Sequence, residues 1–203
     1  MQFPANLNVA GRRCLVVGAG RIALRKAQQL VACGADVTVV APDVAAGFDE
    51  LGVAIVRRTW RAGDLDGIRL VITATGDEAV DQQVFDAAEE RGVWVNSADD
   101  PARCSFTLPA VVRRGPVMVT VSTGGSSPAL ASWLRGRLDE MLGAEFADVA
   151  HELAALRAEV HADGRSTEDT DWQPIVSQLV AERVPTRCPA LLGQRTAATG
   201  MPA

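Results

Sequence analysis

The sequence has few of the residues that build metal clusters, disulfide frameworks or membrane spans. Its two histidines, His151 and His161, stand ten residues apart in a helical stretch, a spacing that predicts no zinc site. The four cysteines include no C-x-x-C pair, so we expect no disulfide framework. No apolar stretch reaches the roughly 18 residues of a membrane span, and the N-terminus lacks a basic region followed by an apolar core. These absences predict a soluble cytoplasmic protein with no bound metal.

Charge and size narrow the function classes further. The net charge of −5 argues against non-specific binding to nucleic acid. The chain of 203 residues is long enough for one compact domain with a smaller one appended. Its hydrophobic content of 48% is ordinary for a globular protein.

A strand, a glycine turn and a helix follow one another near the N-terminus. Residues 14–17 form an apolar run typical of a strand that is covered on both faces. Gly18 and Gly20 let the backbone turn tightly and approach a ligand closely. We expect the N–H groups of Arg21 and Ile22, at the positive end of the next helix, to bind a pyrophosphate. The alternative is a tight turn in an ordinary α/β domain whose crevice binds nothing.

Residues 12–100 alternate short apolar runs with longer periodic segments, which indicates βαβ units. We predict strands over 13–17, 36–40, 54–57, 70–73 and 93–96, and helices over about 22–33 and 79–91. Right-handed crossovers place such strands in one parallel sheet. The predicted fold class is therefore α/β, with a Rossmann-like parallel sheet.

The pattern changes after residue 100. Apolar runs over 105–112 and 117–122, separated by a turn over 113–116, predict an antiparallel hairpin. Three helices are predicted: one that begins near Pro128 and ends at about residue 142, one over 145–160 and one over 172–183. We expect three parts: an NAD-binding Rossmann domain over 1–104, a hairpin-plus-helix segment over 105–144, and a small helical domain over 145–203. The last residues, from about 185, have weak periodicity and are predicted to be disordered.

Further candidate cofactor residues follow the second and fourth strands. Pro42 ends the second strand, and Asp43 is either a ligand of the adenosine ribose or a helix N-cap. No arginine for a 2′-phosphate is evident, which favours NAD over NADP. The small residues Thr73, Ala74 and Thr75 are expected to pass close to the nicotinamide.

Two carboxylates follow the fifth strand, where the crevice should open. Asp99 or Asp100 beside a nicotinamide could remove a proton as a hydride leaves. The alternative is a common Asp-Asp-Pro turn without a chemical role. No Ser/His/Asp or Cys/His arrangement and no Walker phosphate loop is visible.

Five motifs then occur in a family-specific order. They are Gly18-Ala19-Gly20-Arg21-Ile22-Ala23-Leu24-Arg25-Lys26, Val39-Val40-Ala41-Pro42, Asn96-Ser97-Ala98-Asp99, Ser105-Phe106-x-x-Pro109-Ala110 and Val121-Ser122-Thr123-Gly124-Gly125-Ser126-Ser127-Pro128. The match covers about residues 3–145, and its last motif is far more specific than the glycine turn. On these motifs the sequence resembles the precorrin-2 dehydrogenase / sirohydrochlorin ferrochelatase family, the dehydrogenase-chelatase portion of siroheme synthase.

The resemblance implies a reaction and assigns residues to it. The reaction is NAD-dependent oxidation of precorrin-2 to sirohydrochlorin, which some members follow with insertion of ferrous iron to give siroheme. Asp99 falls on the family's catalytic aspartate. Cofactor-contacting positions fall on Arg21, Ile22, Pro42 and Asp43. The segment near the tetrapyrrole pocket falls on Ser122, Thr123, Gly124, Gly125 and Ser126.

The resemblance also implies a homodimer whose segments after the Rossmann half interlock. This fits the predicted hairpin, because its edge would otherwise lie open. The chain is too short for the methyltransferase half of fused siroheme synthases, so we expect another protein to methylate uroporphyrinogen. The alternative function is a non-catalytic, NAD-sensing regulatory domain, which needs the glycine turn but not Asp99.

The sequence departs from the family pattern at two places, and it concentrates arginines at one. Ser97-Ala98 replaces a bulkier apolar pair, and Asp81 stands where asparagine is frequent, but neither change removes a catalytic group. Five arginines are candidates to bind the substrate carboxylates, and the alternative is that they form a solvated stripe on the surface. They are Arg103, Arg113, Arg114, Arg135 and Arg137.

Overall fold

The computed structural model describes residues 2–98 and 100–185, which form two compact units that divide between Leu108 and Pro109. The first unit contains a five-stranded parallel sheet with helices, and the second contains a two-stranded antiparallel sheet with three helices. The predicted fold class is confirmed.

The strands of the first unit lie in the order β3-β2-β1-β4-β5. They are β1 (Arg13–Val17), β2 (Asp36–Ala41), β3 (Ala54–Arg57), β4 (Leu70–Thr73) and β5 (Trp94–Ser97), with helices α1 (Arg21–Ala32) and α2 (Glu78–Arg91). Because β2 and β4 lie on opposite sides of β1, the strand order reverses there. In open α/β sheets, a crevice for ligands forms at the carboxyl ends of the strands beside such a reversal.

Both faces of this sheet are covered, which explains why its strands are continuous apolar runs. One face, with Val16 and Ile72, packs against Ala23 and other small residues of α1. The opposite face, with Val17 and Val71, packs against α2. Successive residues of a strand point to opposite faces, so Thr73 and Ser97, at the ends of β4 and β5, extend the α2 face.

A bidentate ion pair fixes the connection between β3 and β4. Arg58 Nη1 and Nη2 lie 2.9 and 2.6 Å from Asp64 Oδ2 and Oδ1. The hydrogen bond from Arg58, together with one from the backbone N–H of Arg61, holds the pKa of Asp64 below its ordinary value. The pair therefore stabilises the folded unit while Asp64 is ionised.

The second unit begins with a hairpin of two strands, which is followed by three helices. The elements of this unit are β6 (Ala110–Arg114), β7 (Val117–Val121), α3 (Pro128–Met141), α4 (Glu145–Ala162) and α5 (Trp172–Arg183). The prediction of a first strand over 105–112 and a turn over 113–116 is wrong, because Arg114 pairs with Val117 and the turn is only Gly115-Pro116. Ser105 instead donates its backbone N–H to the carbonyl oxygen of Val95 in β5, over 2.9 Å.

Residues 2–98 and 100–185 contain no group of three or more His, Cys, Asp or Glu side chains placed to hold a metal ion. Within the same ranges, no helix combines the length and apolar character that crossing a bilayer requires. The tail predicted to be disordered lies, from residue 186 onward, outside the described residues.

Candidate active site

The turn between β1 and α1 lies where the strand order reverses. Gly18 has a φ of +100°, a conformation that residues with a side chain rarely adopt. A Cβ atom at this position would lie 2.4 Å from the carbonyl oxygen of Ala74. The turn can therefore pass this close to the end of β4 only because residue 18 is glycine.

The N-terminus of α1 is suited to an anion. Gly20 is its N-cap, no side chain caps the helix, and its first turn contains no acidic residue. The first N–H groups of a helix have no intrahelical partner, and the helix dipole is positive at this end. A Cβ atom on Gly20 would have nothing within 4 Å. There is consequently room for a pyrophosphate beside the N–H groups of Arg21 and Ile22.

The loop after β2 lies beside this turn, because the N–H of Ala45 donates to the carbonyl oxygen of Ala19 over 3.0 Å. Pro42 and Asp43 are both exposed at the carboxyl end of β2. No helix begins at Asp43, since the next element is the 3-10 turn Asp49–Leu51. The alternative that Asp43 caps a helix is therefore wrong.

The residues predicted on the nicotinamide side follow β4. Thr73 is fully buried, whereas Ala74 and Thr75 are half-buried and have exposed surface. The hydroxyls of Thr73 and Thr75 both donate to Asp81 Oδ1 in α2, the latter over 2.7 Å. Asp77 caps α2 and donates its own N–H to Thr75 Oγ1 over 3.0 Å. These hydrogen bonds fix the loop that connects β4 to α2.

A cleft of about 420 Å³ opens at the carboxyl ends of β4 and β5. It is lined by Ile22, Ala74, Gly76, Glu78, Asp81, Ser97, Ala98, Asp100 and Arg103. Two of these residues, Ile22 and Ala74, are among the predicted cofactor residues. The cleft therefore continues from the N-terminus of α1 towards the end of β5, which is the direction in which an extended dinucleotide would run.

An arginine holds the loop after β5. Arg103 pairs with Asp100 over 2.9 Å and with Glu78, and its Nε donates to Gln82 Oε1 over 2.8 Å. The hydrogen bond to Glu78 raises the pKa of Arg103, so its charge is permanent. Asp100 Oδ1 also accepts from the N–H of Ala102 over 2.9 Å. Asp100 thus caps the 3-10 turn Pro101–Arg103, and Arg103 is occupied within the protein.

The remaining cleft residues were not all expected. Asp99, the predicted catalytic residue, lies outside the described residues, and its sequence neighbours Ala98 and Asp100 line the cleft. Sequence reasoning gave Asp81 and Ser97 no role in the site. Ser97 pairs in register with Thr73, so its place at the end of the neighbouring strand was a usable signal. Asp81 carried no such signal, because its contacts depend on tertiary packing.

The predicted substrate segment lies in the second unit, between β7 and α3. Ser122, Gly124, Gly125 and Ser126 are exposed, and Thr123 is half-buried. The N–H of Gly124 donates to Ser122 Oγ over 3.2 Å, and the N–H of Ser126 donates to the Thr123 carbonyl oxygen over 3.1 Å. The two glycines have φ values of +61° and +85°, which favour glycine. The segment is therefore an ordered turn with accessible backbone.

Three of the five candidate arginines have acidic partners. Besides the arginine of the cleft, Arg114 Nη2 lies 2.9 Å from Asp139 Oδ1, and Arg137 Nη1 lies 3.0 Å from a glutamate three residues along α3. Among the described residues, the side chains of Arg113 and Arg135 form no ion pair. These two arginines remain candidates for an external carboxylate.

Two family models match the chain. One is described as putative NAD(P)-binding and covers residues 5–110. The other is described as sirohaem biosynthesis protein central and covers residues 114–141. The first match contains the parallel sheet and the whole cleft, and the second contains β7 and α3.

Individual relatives agree with these models. The siroheme synthase of Nitrosomonas eutropha is 38% identical over 189 residues, which are 90% of this chain and 40% of that protein. The siroheme synthase of Pseudomonas entomophila is 43% identical over 187 residues, with coverages of 89% and 40%. The chain thus spans about 40% of the length of these relatives. Among solved structures, SirC, precorrin-2 dehydrogenase, is similar with 25% identity and a TM-score of 0.67, covering 92% of this chain and 91% of that one.

Proposed function

Since the chain belongs to the siroheme synthase family, in the portion that carries the NAD(P)-binding domain, we propose that it oxidises precorrin-2 to sirohydrochlorin with NAD. The observation that carries the proposal is the cleft itself. It connects an uncapped helix N-terminus, suited to a pyrophosphate, with a polar pocket at the ends of β4 and β5.

The residues around the glycine turn fit a dinucleotide. The N–H groups of Arg21 and Ile22 would hold the pyrophosphate, with the open side of Gly20 giving it room. Asp43 would accept hydrogen bonds from the adenosine ribose, and its negative charge would oppose the 2′-phosphate of NADP. When bound, NAD supplies a hydride acceptor. The loop of Ala74 and Thr75 would border the nicotinamide end.

Oxidation of precorrin-2 removes two hydrogens, one as a hydride and one as a proton. We assign the proton to the carboxylate of Asp99, on the motif resemblance and on its sequence position between two residues that line the cleft. The Ser122–Ser126 segment and the unpaired Arg113 and Arg135 would bind the acidic substrate, because guanidinium groups pair well with carboxylates.

A homodimer is part of this proposal, with residues 105–144 as the dimerisation segment. On α3, the apolar side chains of Leu130 and Trp133 are 48% and 58% exposed, and Val111 of β6 is also exposed. Large apolar side chains that cluster on a surface are typical of an interface. A second copy of the chain would bury them.

One experiment tests the reaction. The protein is incubated anaerobically with precorrin-2 and NAD, and we expect NADH and sirohydrochlorin to form in equal amounts. A regulatory NAD-sensing domain would bind NAD without turnover. Folded, NAD-binding protein that forms neither product would refute the dehydrogenase proposal.

Insertion of ferrous iron, the second reaction that the resemblance implies, is tested separately. Sirohydrochlorin and ferrous iron are supplied without NAD, so that no oxidation can contribute. Formation of siroheme above the uncatalysed rate would establish the activity, and a rate equal to that of the protein-free control would exclude it under those conditions.

A further inference from the structure

The cleft contains a carboxylate that is bonded on one side only. Both hydrogen bonds from the hydroxyls of Thr73 and Thr75, and a longer one from the Thr75 N–H, arrive at Asp81 Oδ1. Within the described part of the chain, Oδ2 receives no hydrogen bond and keeps some exposed surface. Asp81 as a whole is only 7% exposed and lines the cleft. Its second oxygen is therefore a fixed acceptor that a bound molecule can reach.

The cleft also contains a hydroxyl without a partner. Ser97 Oγ is buried and forms no hydrogen bond, and it is the single side-chain atom of this kind among the described residues. Ser97 is 3% exposed and lines the same cleft. A buried hydroxyl is costly unless something binds it, so an unpartnered one in a cleft wall indicates a missing ligand.

The two groups lie on the same side of the sheet. Ser97 and Thr73 are register partners at the ends of β5 and β4, and their side chains extend the face that packs against α2. Thr73 in turn contacts Asp81 of α2. Neighbouring strands are about 4.8 Å apart, so Ser97 lies one strand spacing from Thr73, whose hydroxyl bonds Asp81.

We propose that Asp81 and Ser97 bind the carboxamide of the nicotinamide, with Asp81 Oδ2 accepting from its N–H and the Ser97 hydroxyl donating to its carbonyl oxygen. This assignment rests on the proposed cofactor. A primary amide carries one donor group and one acceptor, which complements a carboxylate beside a hydroxyl. An anionic group would be repelled by Asp81, whereas the carboxamide is neutral.

Arg103 is the cationic side chain of the cleft wall, and it lies close enough to interact electrostatically with Asp81. The other two acids of the cleft wall, Glu78 and Asp100, are paired with Arg103 themselves. Among the described acids of the cleft wall, Asp81 is thus the one that forms no ion pair.

The test compares two dinucleotides by calorimetric titration, a readout that needs no turnover. NAD carries the carboxamide, and 3-acetylpyridine adenine dinucleotide replaces its NH₂ with a methyl group. We expect the wild-type protein to bind NAD at least about tenfold more tightly, because a hydrogen bond to a charged group is lost with the analogue. Asp81→Asn can keep the threonine bonds through its Oδ1 but presents an NH₂, so this preference should disappear.

Two further variants complete the test. Ser97→Ala should weaken NAD binding severalfold without lowering the melting temperature, since it removes a hydroxyl that has no partner. Asp86→Asn, the same exchange at an exposed position of α2, should change neither affinity. Each variant's melting temperature is measured to confirm that it folds.

The outcomes separate this inference from the proposed reaction. An unchanged preference for NAD in Asp81→Asn, or no preference in the wild-type protein, would overturn the carboxamide subsite alone. The expected preference without precorrin-2 oxidation would overturn the reaction alone. Folded wild-type protein that binds neither dinucleotide would overturn both.

Discussion

Alanine at Gly18 and alanine at Gly20, the two glycines of the turn between β1 and α1, should have different consequences. In Gly18→Ala the new Cβ atom would lie 2.4 Å from the Ala74 carbonyl oxygen, at a φ of +100°. In Gly20→Ala the Cβ atom would meet nothing within 4 Å, at a φ of −85° that alanine adopts freely. The first change should therefore damage the fold, and the second should damage only the binding of a ligand.

The magnitudes follow from these geometries. A non-glycine residue in a sparsely populated backbone region costs roughly 1–3 kcal/mol, and the clash with Ala74 adds about 1–3 kcal/mol. Gly18→Ala should thus lose roughly 2–6 kcal/mol of unfolding free energy, which lowers the melting temperature by roughly 4–24 °C in a chain of this size. Gly20→Ala should lose about 1 kcal/mol or less, because only its N-cap preference changes.

The affinity for NAD is the quantity that Gly20→Ala should change. A methyl group at position 20 would occupy the room beside the Arg21 and Ile22 N–H groups, so at least one charge-assisted hydrogen bond to the pyrophosphate is lost. That loss amounts to roughly 1.5–3 kcal/mol, or about 10- to 150-fold in the Kd for NAD. Thermal unfolding and calorimetric titration measure both quantities. Wild-type stability in Gly18→Ala, or wild-type NAD affinity in folded Gly20→Ala, would refute the reasoning.

Four other predictions concern separate parts of the molecule. Asp99→Asn should keep NAD affinity but lower dehydrogenase turnover by a factor of roughly 10² to 10⁴; wild-type rates of NADH formation would show that another residue is the base. The hydrogen bond from Arg58 lowers the folded-state pKa of Asp64, so the stability that this ion pair contributes should be present at neutral pH and lost as the pH falls below about 4. Asp64→Asn should therefore lower the melting temperature at pH 7 but not in strong acid. An equal loss of melting temperature at both pH values would contradict this. The wild-type protein should scatter light as a dimer and Trp133→Asp as a monomer; a monomeric wild type at micromolar concentration argues against the interface. NAD should bind more tightly than NADP, and Asp43→Ala should reduce the ratio of the two Kd values in a competition titration. An unchanged ratio would show that Asp43 does not bind the ribose.

Some of the structure was determined by local chemistry and could be predicted residue by residue. The strand β1 was predicted with its observed bounds, Arg13–Val17, because a short apolar run before a glycine turn leaves few other conformations. The five-stranded parallel sheet followed from the repeated strand–helix pattern, since right-handed crossovers leave one arrangement. The turn of the hairpin was misplaced because Arg113 and Arg114 look like turn residues, although cross-strand pairing extends β6 through both.

The sequence by itself therefore determined the class of fold and the glycine turn, because each depends on the spacing of apolar residues and glycines along the chain. Only the tertiary structure decided which polar groups meet in the cleft. Asp81 lies in a helix and Ser97 in a strand, and only packing of α2 against the sheet brings both to one wall. It also decided that Arg103 is occupied by Glu78 and Asp100. Partner choice among charged side chains depends on distances in space, which the spacing of residues along the chain does not contain.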